Sequence, residues 1–269
     1  MFNKISGQFL LAASLLMLSW TKLWAQQDKK VLRVMSYNMR IASPPSTNWG
    51  GTDLPAIAKV INDNKPDLVA LQEVDAFTER SGKTSHQAKE LAEMTGMHYF
   101  FAKAIDRSGG DYGVAVLSRF PIIKSEGFRL PVSSGSDGEI RGLALIVVEA
   151  FGNEIAFASA HLDHKSDDDR KLQVENVIRI AKKYKNLPII FSADLNMTPD
   201  NPVMNLVRKN FFLPCSTCPL TFPQDNPRST IDYILLNKKA EKQFRTVNYG
   251  TVDEKYASDH LPLIAEFRF

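Results

Sequence analysis

Short apolar runs recur along the chain, and many of them stop at an Asn, Glu, Asp or His. The stretches Val31 to Tyr37, Leu68 to Leu71, Val114 to Leu117, Leu143 to Val148, Ile155 to Ala160, Pro188 to Ser192, Ile231 to Leu236 and Leu261 to Phe269 are predicted strands. Between them apolar residues recur at three-four spacing. Leu54, Ile57, Ala58 and Ile61 predict one helix, Ala88, Leu91 and Ala92 a second, and Leu172 to Ala181 a third. The runs 143–148 and 155–160 read as a hairpin-like pair. Helices set among so many strands predict an α/β sandwich, with two mixed β-sheets packed face to face and helices on the outer faces.

The first apolar run differs from these. Met1 to Gly7 carries Lys4 and no acidic residue, Phe9 to Trp20 is apolar apart from two serines, and Leu23-Trp24-Ala25 precedes a polar stretch. That layout predicts a signal peptide over residues 1–25, and hence export to the periplasm or the exterior. The run is too short to span a hydrocarbon core of about 30 Å, which disfavours a retained anchor, and no transmembrane segment is expected after processing. No cysteine near the cut supports lipid attachment. Residues 26–269 contain no repeat or low-complexity linker and are expected to form a single domain, in a monomer.

Charge narrows the partners. Without Lys4 and Lys22, the 33 basic residues fall to 31 against 30 acidic ones, a formal charge of +1. So weak a field gives no reason to favour nucleic acid. The run Lys182-Lys183-Tyr184-Lys185 reads as the solvated end of a helix. Cys215 and Cys218 are the only cysteines. In an oxidising compartment they predict a local disulfide, with a thioredoxin-like pair or a zinc site less favoured because the flanking pattern and further ligands are missing.

Against this background the polar strand ends stand out. Asn38 follows the first strand, Glu73 follows Leu71-Gln72, and His161 ends the run 155–160. Asp194 and Asn196 follow 188–192, Asp232 interrupts an apolar strand, and Asp259-His260 precedes the last one. A lone strand-end Asp is usually a cap or turn residue; so many, all Asn, Glu, Asp or His, fit a metal-assisted phosphoryl site. Mg²⁺ or Mn²⁺ takes hard oxygen ligands, for which Glu73, Asp259 and the amide oxygen of Asn38 are candidates. Asp194 could orient or deprotonate water, while Asn196, His161 and His260 could bind phosphate oxygens. No Gly-x-Ser-x-Gly elbow supports acyl transfer and no His-Glu-x-x-His a zinc hydrolase.

Ser36-Tyr37-Asn38-Met39-Arg40, Leu71-Gln72-Glu73-Val74, Tyr112-Gly113-Val114-Ala115-Val116-Leu117-Ser118-Arg119, Ser159-Ala160-His161-Leu162, Ala193-Asp194-Leu195-Asn196, Ile231-Asp232-Tyr233-Ile234 and Ser258-Asp259-His260 occur in that order. Together they resemble the endonuclease/exonuclease/phosphatase (DNase I-like) superfamily over nearly all of residues 36–260. The resemblance implies a four-layer α/β sandwich and in-line attack of water on phosphorus. It implies Glu73 as principal metal ligand with Asn38 and Asp259 nearby, Asp194 positioning the nucleophile, and Asn196 and His161 on the phosphate. His260 would be oriented by Asp232, and Arg141 would support the site or form a structural ion pair. Two departures are Val114, where many relatives have Asn, and Thr230, where some have Arg. His86, His98 and His164 match no block, and His86 and His98 read as ordinary surface or helix-end residues. Glu79 to Gly82, Gly109 to Gly113, and Thr221 to Pro223 with Asn226 to Arg228 resemble an exported bacterial branch. That branch is similar to the C-terminal domain of fungal cell-wall and glycosylphosphatidylinositol-remodelling proteins of the calcofluor-white-hypersensitive type, and lies near the sphingomyelinases. The expected activity is hydrolysis of a small phosphodiester, a phospholipid headgroup or an inositol phosphate. A secreted nuclease is the alternative, and a catalytically silent binding protein of the same fold a remote one.

Overall fold

The structure is a computed structural model that describes residues 30–269; the leader expected over residues 1–25 lies outside the described residues. Strand β1 (Val31–Asn38) shows why the central runs are apolar without alternation. Leu32 and Val34 enter one core while Met35 and Tyr37 enter another, because both faces of the strand are covered. Strand β2 (Leu68–Ala76) repeats the pattern with Leu68 and Ala70 on one face and Val69 and Leu71 on the other. These two pair in parallel, and the other strands of their sheet are antiparallel: β3 (His98–Arg107), β4 (Gly110–Ser118), β10 (Arg245–Thr251) and β11 (Leu263–Arg268). The order is β10-β11-β1-β2-β4-β3. The second sheet runs β5 (Ile122–Leu130), β6 (Arg141–Ala150), β7 (Asn153–His161), β8 (Ile189–Asp194), β9 (Asp232–Leu236), with β7 and β8 parallel.

Three apolar clusters separate four layers. Leu32, Val34 and Val116 meet Ile146, Phe157 and Ile234 between the sheets. Helices α1 (Leu54–Asn64) and α2 (Gln87–Thr95) cover the first sheet through Ile57, Ile61 and Leu91. Helices α3 (Asp167–Lys183) and α4 (Met204–Asn210) cover the second through Val174, Val177 and Val207, while the short α5 (Lys238–Gln243) places Ala240 in the intersheet cluster. The fold is the α/β sandwich expected, two mixed sheets face to face with helices outside.

Both parallel pairs are joined by a helical crossover, α1 between β1 and β2 and α3 between β7 and β8. Side-chain bonds show that the carboxyl ends of the two pairs meet. Asn38 at the end of β1 donates to Asp194 at the end of β8 (3.0 Å), and Gln72 donates to Ser159 across the sheets (3.1 Å). Ligand sites of open α/β sheets gather at such strand ends.

Helix α3 is secured by its own sequence, with Ser166 capping Asp169 N–H, three aspartates in the first turn and Lys182 and Lys183 in the last. Its amino end also anchors the loop entering β6. Asp169 accepts from Ser133 N (2.6 Å) and the Ser136 hydroxyl, and buried Asp163 accepts from the backbone N–H of Glu139 (3.0 Å), Lys165 (2.7 Å) and Ser166 (2.9 Å). Burial pushes the Asp163 carboxyl up, but the three backbone donors outweigh it and hold the group below its ordinary value. The stabilisation is therefore present above the ordinary aspartate range and is lost as pH falls through the lowered folded-state value. Asp163→Asn turns one acceptor into a donor facing an N–H and should cost about 1.5–3 kcal/mol at pH 7. Denaturant melts of both proteins at pH 7 and in acid check this, since the gap should narrow as the pH drops.

Candidate functional site

Glu73 reaches the cleft through an irregularity in β2. Leu71 pairs with Ala115 and Val74 with Gly113, so Gln72 and Glu73 together oppose Val114 in a β-bulge. Glu73 sits there at φ 55, in the left-handed region. Gly113 allows the close pairing of β4 with β3, since a Cβ would stand 2.1 Å from the Ala102 carbonyl oxygen. Burial raises the Glu73 carboxyl above its ordinary value, partly opposed by the hydrogen bond from Asn38. Asn38 Nδ2 lies 3.1 Å from Glu73 Oε1 and 3.0 Å from Asp194 Oδ2, while its Oδ1 accepts from Arg40 N (3.1 Å). Asn38 was expected to offer its amide oxygen to a metal; here that oxygen accepts from Arg40 N and the NH₂ faces the carboxylates. The two flanking carboxylates are acceptors, and the amide NH₂ is the donor able to serve both.

Asp194 and Asp232 face one another at the ends of the paired strands β8 and β9. His260 Nδ1 meets Asp232 Oδ2 at 2.9 Å, and its Nε2 lies 3.8 Å from Asp194 Oδ2. Burial pulls the His260 ring down, but Asp232, by charge and hydrogen bond, followed by Asp194 and Asp259, pushes it up to about 10. At neutral pH the ring is thus an imidazolium. Asp194 is raised to about 7, by burial first and then by Asp232, against the opposing charge of His260. Thr221 Oγ1 accepts from the backbone of Ile231 (3.2 Å) and Asp232 (3.3 Å), and the Phe222 ring packs 4.9 Å from that of His260. These contacts fix the pair from outside the strands.

His161 ends β7 with both ring nitrogens engaged. Arg141 Nη1 lies 3.4 Å from Nδ1 and the Asn196 amide Nδ2 lies 2.9 Å from Nε2. Both partners are donors and a neutral ring accepts at one nitrogen only, so the shorter contact assigns the acceptor role to Nε2. That Nε2 is also 3.5 Å from Asp194 Oδ2. Asn196, left-handed at φ 51, is oriented by donating to Leu162 O (3.0 Å), and its N–H bonds Asp194 Oδ1 (2.9 Å). The His161 ring and the Asn196 amide, bonded to one another, thus stand together beside the Asp194 carboxylate. Arg141 is buried, pairs with Glu139 at 3.2 Å and donates to His164 Nδ1 at 2.9 Å. His164, which matched no sequence block, is thus tied to the site through Arg141. His86 caps α2 and His98 opens β3, both away from this cluster.

Asp259 is held on the other flank. Arg40 Nε lies 3.2 Å from Asp259 Oδ2, and Ser258 Oγ donates to Asn38 O (2.6 Å). Arg40, Ile41 and Ala42 are consecutively left-handed (φ 49, 51 and 55), at roughly 1–2 kcal/mol each. The turn they form sends the Arg40 side chain back toward Asp259. Arg40 stood inside a quoted sequence block, but nothing in the sequence assigned it a role. The structure accommodates both departures. Val114 packs in the apolar intersheet core, and Thr230 Oγ1 donates to Pro219 O (2.8 Å), closing the loop that contains the Cys215–Cys218 disulfide.

Residues 35–260 match the endonuclease/exonuclease/phosphatase family. The chain belongs to this family. Solved family structures share its fold. One protein of that family from Bacteroides thetaiotaomicron is 22% identical with a TM-score of 0.72, covering 89% of this chain and 98% of its own. A mannosyl-6-phosphatase of the same organism is 24% identical with a TM-score of 0.72, over 88% of this chain and 100% of its own. The human nocturnin catalytic domain with bound sulfate is 20% identical with a TM-score of 0.68, over 89% and 93%. The family makes this chain a phosphoester hydrolase, and among its described residues Asp194, Asp232 and His260 bring ligand atoms within 4.8 Å of one another, a possible metal-binding group.

The His161 environment can be tested directly. Burial, then the charges of Arg141, His260 and His164, hold its ring well below the ordinary value, so it is neutral at pH 7. Arg141→Gln removes one positive neighbour and should raise the His161 titration midpoint while leaving it below the ordinary range, because burial persists. Histidine ring resonances followed by NMR across pH, in metal-free protein, report the shift; a midpoint that stays put or falls contradicts the assignment.

Proposed function

We propose that this family member cleaves a small phosphodiester, such as a phospholipid headgroup or an inositol phosphodiester, by in-line attack of water, outside the cytoplasm after loss of residues 1–25. The observation that supports it most is the convergence on Asp194, whose Oδ2 lies within reach of Asn38 (3.0 Å), His161 (3.5 Å) and His260 (3.8 Å). The site resembles neither a nucleophilic triad nor a thiolate metal centre. Its donors also suit a hard divalent cation, since the Glu73 and Asp259 carboxylates flank Asn38 closely enough for the charge of Asp259 to act on Glu73. Glu73 and Asp259, with Asn38 beside them, would hold Mg²⁺ or Mn²⁺. The Asp194–Asp232–His260 group is less suited, because His260 Nδ1 is engaged by Asp232. A bound cation supplies Lewis-acid polarisation of the phosphoryl group.

The remaining steps use side chains of this chain. Asn196 and His161, which bond one another in the free site, turn to the phosphoryl oxygens and orient the phosphorus toward Asp194. The Asp194 carboxylate takes a proton from the attacking water as the bond from phosphorus to the ester oxygen breaks, and the leaving alkoxide is protonated from solvent. A value of about 7 suits a base working at neutral pH. The His260 imidazolium, fixed by Asp232, offsets negative charge as it builds on the phosphoryl group. The fold likeness to a mannosyl-6-phosphatase favours a sugar phosphomonoester as a second reading. Nucleic acid ranks lower because a formal charge of +1 over residues 26–269 offers little to a polyanion. For export, the support is the sequence of residues 1–25.

One assay series tests the reading. Hydrolysis should vanish in EDTA and return with Mg²⁺ or Mn²⁺, and Asp194→Asn, which keeps the side-chain shape, should lower kcat at least about a hundredfold. Across phospholipids, inositol and sugar phosphates and duplex DNA, kcat/KM should be higher on a small ester than on DNA. Full activity without metal contradicts the mechanism; efficient plasmid cleavage with no small ester turned over promotes the nuclease.

A further inference from the structure

Trp49 lies beside the site on the flank of Asp259, and it is 56% exposed. An exposed indole on a loose loop would mean little, but this one is fixed. Asn48 and Trp49 are left-handed (φ 47 and 65), and the loop is closed by Gly50 N to Thr47 O (2.8 Å) and Asp53 N to Ala42 O (2.6 Å). The Arg40 guanidinium lies 3.5 Å from the ring centroid, against one indole face. Arg40 is itself immobilised by Asp259 and by a bond to Ser43 O (2.7 Å). One face is therefore backed by a planar cation tied to the site, while more than half of the residue remains exposed.

The surroundings of Trp49 select what lies on the exposed indole. Tyr256, also exposed, donates its hydroxyl to Asp53 Oδ2 (2.9 Å) at the end of the Trp49 loop, and Asp259 holds the Arg40 that backs the indole. Carboxylates repel the phosphate backbone of a nucleic acid, and they accept hydrogen bonds from hydroxyls. An aromatic face on a rim that carries the Asp53 and Asp259 carboxylates suits a saturated ring whose C–H bonds stack and whose hydroxyl edge bonds outward.

We propose that Trp49 is a specificity-determining platform for a saturated, polyhydroxylated ring, a sugar or a cyclitol, that carries the phosphoester. This rests on the phosphoester reading of the neighbouring site and selects ring-bearing esters over glycerol-type ones.

In the exported form beginning near Gln26, Trp20 and Trp24 are gone and Trp49 is the lone tryptophan, so its emission reports on this residue alone. Emission would be titrated in EDTA with myo-inositol 1-phosphate, glucose 6-phosphate and sn-glycerol 3-phosphate, which bear the same phosphate. At least one ring compound should give a saturable change with a Kd at least about fivefold tighter than glycerol phosphate, and which one separates cyclitol from sugar. Equal responses, or none, overturn the proposal. With Mg²⁺, Trp49→Ala should lower the ratio of kcat/KM on ring-bearing over glycerol esters at least about tenfold, chiefly through KM, and Trp49→Phe should keep most of it. Equal losses on both substrates overturn it and leave Trp49 a support for Arg40. Wild-type enzyme that hydrolyses no phosphoester removes the hydrolase reading, while the emission titration still decides the platform.

Discussion

Glu73, Asp194 and Asp232 share one end of the sandwich, and holding three acidic groups there sets the terms for everything around them. An uncompensated buried charge costs several kcal/mol, and a hydrogen bond to a charged group returns about 1.5–3. Each neighbour can be read in those terms. Asn38 serves Glu73 and Asp194 together, the Asn196 backbone serves Asp194, and His260 supplies a formal positive charge against Asp232. The compensation is incomplete by design of the geometry, since Asp232 Oδ1 finds no partner and Asp194 is left at about 7. A fully satisfied carboxylate would be a poor base; a half-satisfied one can take a proton.

The medium beneath these groups changes in steps. Leu32, Val34, Phe157 and Ile190 form an apolar intersheet core, and the next inward-facing positions along the same strands are Ser36, Ser159 and Ser192, with Gln72 beside them. Gln72 donates to Ser159, which donates to Leu71 O (2.9 Å), whereas Ser36 Oγ, Ser192 Oγ and Gln72 Oε1 are buried without protein partners. Such atoms cost about 1–3 kcal/mol each when unsatisfied. Their position, one step below the carboxylates, places hydroxyl and amide dipoles under the charged layer instead of hydrocarbon. The apolar core that carries stability is thereby kept apart from the layer that carries the chemistry.

The same layering explains which parts of the molecule were legible in the sequence. Central strands with both faces covered are uninterrupted apolar runs, so a polar residue at their ends is conspicuous, and the residues brought together here were found that way. Strands β3, β5 and β10 lack an uninterrupted buried run because each is a sheet edge with exposed positions, whereas the edge strand β9 is buried throughout. Ile122–Leu130, for instance, carries Lys124, Ser125, Glu126 and Arg129 on a half-exposed strand. The apolar run ending at Leu71 hid the continuation of β2 to Ala76, since a bulge leaves no periodic signature. Asp163 and Arg40 were invisible for another reason. Two donors to Asp163 are local, Lys165 N and Ser166 N, but its bond from Glu139 N and the pairing of Arg40 with Asp259 join distant segments that no local pattern encodes.

Backbone strain gathers where straight strands cannot aim a side chain. A strand alternates its side chains between two faces, so turning Glu73 into the cleft takes a bulge, and returning Arg40 to Asp259 takes a left-handed turn. Glycine would adopt φ 51 at position 41 far more readily than the β-branched isoleucine found there. Yet Ile41 is buried and its carbonyl accepts from Gln87 on α2 (2.6 Å), so the strained turn is tied to the helix layer. Glycine at that position would relieve the torsion and also widen the conformations open to the segment that presents Arg40 and Trp49. The strain is tolerated because the buried contacts of the turn exceed it, and the rigidity they confer is what keeps a cation and an aromatic face registered against Asp259.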